Sequence, residues 1–142
     1  MVILQIITLI GLIVNTILDA RSRRISLIAA GVTAACGLCW RLAEGSLLSW
    51  NVLLGLLPGV LWLLLAKATK ESVGYGDAWV LLAAGIVLGG EDMFFMCTAA
   101  IFLAGVIALI LLVFFHKSKK YQMPFLPFLM VGYLCVCARR FI

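Results

Sequence analysis

Long apolar runs separated by short polar clusters make up this chain, with the charged residues concentrated at the breaks. A helix rises 1.5 Å per residue, so about 20 apolar residues cross roughly 30 Å of hydrocarbon. The runs approach that length. Their spacing predicts six helical spans, at about 1–18, 25–42, 51–66, 77–90, 93–115 and 124–138. The predicted fold is all-α: a polytopic membrane helical bundle of about six transmembrane helices, forming a single domain over residues 1–142. The fourth run is the shortest, and only Gly89-Gly90-Glu91-Asp92, read as a tight acidic turn, separates it from the fifth. A kinked or partly re-entrant path is the alternative for that run.

Composition agrees with the pattern. The chain is 65% hydrophobic and 12% charged, with a mean hydropathy of +1.23, which excludes an ordinary soluble domain. Met1 to Leu18 lacks the basic start and the small-residue cleavage site of a signal peptide, so it is read as a retained span. Lys and Arg gather in alternate loops: Arg21, Arg23 and Arg24, then Lys67 and Lys70, then Lys117, Lys119 and Lys120. These loops are expected on the cytoplasmic side. Arg139 and Arg140 break the rule, since six full crossings would put them outside. The net charge of +5 then reads as topology and contact with anionic membrane lipid. It gives no basis for nucleic-acid binding, because no hydrophilic module is available to display a basic and aromatic surface.

Only six acidic residues occur, and two of them stand at the same predicted membrane edge. Asp19 closes the first run, and Asp77 ends the tetrapeptide Gly74-Tyr75-Gly76-Asp77. Taken singly, each could be a solvated helix cap. Together they suggest chemistry, because carboxylates beside hydrocarbon are expensive to ionise and mark functional positions. Two carboxyl groups about 3 Å apart hold one proton between them. One can then act as base toward water attacking a peptide carbonyl, while the other acts as acid. Such a reaction calls for no metal, cofactor or covalent intermediate. Gly74 and Gly76 are expected to support the site through an irregular backbone turn lining a wet cavity.

Three stretches resemble the type IV prepilin peptidases, membrane aspartyl proteases with a Gly-x-Gly-Asp signature. Leu18-Asp19-Ala20-Arg21-Ser22-Arg23-Arg24-Ile25 is similar to the first catalytic aspartate and its basic sequel. Gly74-Tyr75-Gly76-Asp77 is similar to the second catalytic motif, and Met123-Pro124-Phe125-Leu126-Pro127-Phe128-Leu129 to the opening of the last helix. Two departures stand out: Ser26 where the family commonly has proline, and Trp79 where it commonly has lysine. The resemblance implies catalytic roles for Asp19 and Asp77, and a bacterial cytoplasmic membrane location with the active site facing the cytoplasm. It implies as substrate a prepilin or pseudopilin whose short basic leader ends in glycine and joins a hydrophobic helix. Lacking the paired Cys-x-x-Cys region of longer members, the chain is expected to cleave leaders without methylating the product.

The remaining candidates read more simply. Cys36, Cys39, Cys97, Cys135 and Cys137 suit apolar packing, with a Cys36/Cys39 disulfide as the minor option, and no second Cys-x-x-Cys completes a zinc site. His116 reads as a solvated helix end among lysines. Ser22, Ser26, Ser46 and Ser72 have no nearby histidine in sequence to activate them. Gly55-Leu56-Leu57-Pro58-Gly59 and Gly85-Ile86-Val87-Leu88-Gly89 carry the Gly-xxx-Gly spacing of close helix packing, expected within the molecule. Pro58 is expected to kink the third span. The alternative function is a small proton-coupled carrier or assembly subunit using the same aspartates as proton sites.

Overall fold

The computed structural model describes residues 2–22, 26–69, 74–115 and 124–141, and these form six helices. They are α1 (Val2–Ser22), α2 (Leu27–Ala43), α3 (Trp50–Ala68), α4 (Tyr75–Leu88), α5 (Gly90–Phe115) and α6 (Leu126–Phe141). Among the described residues there is no strand. By length and composition α1, α3 and α5 suffice to cross a membrane, while α2 and α4 are shorter apolar helices. The protein is an integral membrane protein.

The fourth segment is the shortest helix. It is one unbroken helix at the centre of the bundle, with nine of its 14 residues buried, and it packs against α3, α2, α5 and α1. An apolar sequence with no polar face suits a helix surrounded on most sides, with Tyr75 and Trp79 left exposed near its start. The core runs from Leu12 and Ala30 through Val80, Leu81, Ala84 and Leu88 to Met93, Met96, Leu126, Leu129 and Tyr133. The two Gly-xxx-Gly segments meet each other. A Cβ on Gly55 would lie 2.5 Å from the Gly85 carbonyl oxygen, and one on Gly59 would lie 2.8 Å from Leu82, so only glycine allows α3 and α4 this approach. Pro58 lies inside α3, which continues as a single helix past it.

The expected acidic turn between α4 and α5 is reduced to one residue. Gly89 alone makes the joint, with φ of 80°, a conformation that glycine adopts freely. Gly90, Glu91 and Asp92 already belong to the first turn of α5, where the helix dipole favours acidic side chains. Asn51 of α3 accepts the Gly90 N–H through Oδ1 at 2.7 Å. Arg41 of α2 donates from Nε to the Ile86 carbonyl at 3.1 Å and from Nη2 to the Val87 carbonyl at 3.2 Å. Carbonyls of the last turn of α4 are thus satisfied by a neighbouring helix.

The chain runs up and down, giving the bundle two distinct ends. One end gathers the close of α1, the starts of α2, α4 and α6, and the close of α3. The other holds the starts of α3 and α5 with the close of α2, α4 and α6. At this second end Arg139 pairs with Glu91, and Arg140 with Asp92, so the two arginines that violate the loop-charge rule sit beside acidic partners. All five cysteines are free thiols. His116, Arg23, Arg24, Lys70, Glu71, Ser72, Lys117, Lys119, Lys120 and Met123 lie outside the described residues.

Candidate active site

Asp77 occupies the first turn of α4 and is 7% exposed. Its burial follows from the helix that bears it, since α4 turns Ala78, Val80 and Leu81 inward as well. Asp19 lies in the last turn of α1 and is half-buried, with its Oδ2 shielded from solvent. Helices α1 and α4 pack together, and the two carboxyl groups lie within electrostatic reach of each other. Residues 58 positions apart in sequence therefore lie near each other at one end of the bundle.

The two glycines of the motif stand at the start of α4. Gly74 has φ of −57° and ψ of 115°, angles open to most residues, and Gly76 is already helical. Residues 70–73, which lead into this stretch, lie outside the described residues. The requirement at Gly74 is space: a Cβ there would lie 2.9 Å from Asp77 Oδ2 and 3.2 Å from its Cγ. The missing side chain leaves room for the carboxyl group to fold back against the backbone before the helix. Tyr75 and Trp79, one turn apart, point outward at 44% and 48% exposure. Trp79, in the place of the expected lysine, thus lies on the outer face of α4, where a ring suits the membrane border.

Below the aspartates the α1–α2–α4 seam carries polar groups. Thr8, Asn15 and Thr33 are buried at 1%, 1% and 5% exposure. They line a cavity of about 10 Å³ with Gly11, Leu12, Ala30, Val80 and Ala84, at the lower limit for one water molecule. Each polar side chain also hydrogen-bonds its own helix: Thr8 to the Leu4 carbonyl, Asn15 to Gly11 and Thr33 to Ala29. The opening of α6 completes the surroundings. Phe125 stacks on Trp62 of α3 with centroids 4.7 Å apart, and Thr16 donates to the Leu126 carbonyl at 3.4 Å. Sequence reading did not single out Thr8, Asn15 or Trp62. The available signal was the spacing 8, 15, 19, which puts two polar residues on the helix face that bears Asp19.

Among the described residues no three His, Cys, Asp or Glu side chains cluster as metal ligands would. A family model for the type IV leader peptidases matches residues 6–113, a span that includes both aspartates and most of the bundle. The chain belongs to the type IV leader peptidase family. It is therefore a peptidase, with prepilin-type proteins as the general class of substrate. The match stops before α6, so Pro124 to Leu129 lies beyond the matched residues of this leader peptidase. No curated protein and no solved structure matches the chain.

Proposed function

We propose that this leader peptidase is an aspartyl endopeptidase that removes the basic leader from type IV prepilin-like substrates, with Asp19 and Asp77 as its catalytic pair. What supports the reading is the nearness of these carboxyl groups, one half-buried and one buried, at the same end of the bundle. With one proton held between them, the ionised carboxylate takes a proton from water as that water attacks the scissile carbonyl. The protonated partner donates to the carbonyl oxygen. The tetrahedral intermediate then collapses as the leaving amine gains a proton and the peptide bond breaks. Gly74 keeps the Asp77 carboxyl in its place through this cycle.

The loop-charge pattern supports a cytoplasmic position for the aspartate end, in the bacterial cytoplasmic membrane. Arg21 and Lys67 flank that end. A substrate whose hydrophobic helix lies in the bilayer would bring its leader junction to this depth. The test uses purified protein in nanodiscs and a synthetic peptide with a basic, glycine-terminated leader followed by a hydrophobic helix. Wild type is expected to cleave after the glycine, and Asp19→Asn and Asp77→Asn each to lose roughly 10²–10⁴-fold in kcat. Cleavage that persists in Asp77→Asn, or that never occurs with wild type, removes the aspartyl assignment and leaves the pair as proton sites of a carrier.

A further inference from the structure

Asn15 lies one helical turn before Asp19, on the stripe formed by Thr8, Leu12, Asn15 and Asp19. Its side chain is 1% exposed and makes two directed bonds. Nδ2 donates to the Gly11 carbonyl within α1 at 3.0 Å. Oδ1 accepts the backbone N–H of Ser26 at 2.8 Å. Ser26 is the N-cap of α2, and its own hydroxyl oxygen accepts the Ala29 N–H at 3.2 Å. One amide thus ties the cap residue of α2 to the last turns of α1.

We infer that Asn15 is a positioning residue for Asp19, holding Ser26 against α1 and so fixing both ends of the connection that leaves the aspartate. The inference rests on the proposed aspartate pair. A carboxamide is demanding to bury at this depth and is tolerated when both its polar ends are used. The bond to Gly11 fixes the amide plane, and that leaves Oδ1 a single direction in which to accept. The partner in that direction is the N–H of a cap residue, a group with no acceptor inside its own helix. The start of α2 is thereby registered against the helix that carries Asp19. A polar contact serving only general stability would have no need to join these two points.

The test compares wild type, Asn15→Leu, Ser26→Pro and the double variant, each as the full chain in nanodiscs with the same synthetic leader peptide. Leucine removes the acceptor and strands the Ser26 N–H. Proline at 26 has no N–H to strand, and the φ of −77° at this position lies within its range. Asn15→Leu is expected to lower kcat roughly tenfold to a hundredfold, as a small misplacement of a reacting group does, with KM changed by less than about twofold. Ser26→Pro, which deletes the donor of the same bond, is expected to lower kcat similarly, and the double variant to lose no more than the larger single loss, because only one tie is broken. An unchanged kcat in folded Asn15→Leu, or losses that simply add in the double variant, overturns the positioning role.

A second readout does not depend on proteolysis. Ala20 and Tyr75 are both exposed beside the two aspartates, and spin labels at Ala20→Cys and Tyr75→Cys, with the five native cysteines replaced by alanine, report the separation of the two helix ends. The distance distribution is narrow in wild type and broadens in Asn15→Leu and in Ser26→Pro alike, since each breaks the same bond. A distribution that Asn15→Leu leaves unchanged sinks the inference even where cleavage is lost. If wild type cleaves nothing while the distances respond as described, the peptidase pair fails and Asn15 keeps its role.

Discussion

Gly74 exists to leave Asp77 room. Its backbone angles are ordinary, so alanine would fit the conformation, yet the added methyl would press on the carboxyl group at 2.9 Å. Gly74→Ala is therefore expected to lower kcat roughly tenfold to a hundredfold by shifting the reacting oxygen. Stability should change by less than about 1 kcal/mol, since the substitution removes no hydrogen bond and breaks no core contact. Matched measurements of kcat and of thermal unfolding check this, and a folded variant with wild-type turnover contradicts it. Both aspartates were legible in the sequence because ionisable groups at membrane edges are rare and the chain has few acids. Asn15 was not, because a single amide inside an apolar helix gives no hint of its partner until Ser26 is brought beside it.

At the level of the helix, α4 depends on its neighbours more than on its own sequence. It is short, and its final carbonyls are met by Arg41 reaching across from α2. The Arg41 side chain is 15% exposed, so these charge-assisted bonds are partly shielded from competing water. Arg41→Met keeps much of the length and the apolar stem while deleting both donors. It is expected to lower stability by about 1.5–3 kcal/mol, seen as a drop in the thermal midpoint in detergent, with KM for the leader peptide little changed. A midpoint equal to wild type would show that water replaces the guanidinium at no loss. The hydrophobic pattern located all six helices, and their ends are where it erred. Glu91 and Asp92 look like loop residues by polarity, but a helix N-terminus accommodates acids, so α5 begins earlier than polarity alone predicts.

For the molecule as a whole, alternation of direction places like chemistry together. The aspartates collect at one end, and the Arg139–Glu91 and Arg140–Asp92 pairs collect at the other. Such exposed pairs add little to stability, but they explain how two arginines can sit opposite the basic loops. The count of helices and their alternation could be read from apolar run length. The packing order, with α4 at the centre, could not, because a uniformly apolar helix carries no stripe to say which neighbour it faces.

A 14-residue helix spans only about 21 Å, against about 30 Å of hydrocarbon. Its far end is tied to α2 and α3 through Arg41 and Asn51, and Asp77 stands at the other end. On the proposed reading, water reaches the two carboxyls by way of bilayer thinned beside this end. Acyl-chain length then becomes a control on proteolysis. In vesicles of longer monounsaturated lipids turnover should fall relative to those with 18-carbon chains, because thicker bilayers resist the local thinning that mismatch demands. Equal rates across the series would mean that the protein carries its own aqueous entrance, independent of the surrounding lipid.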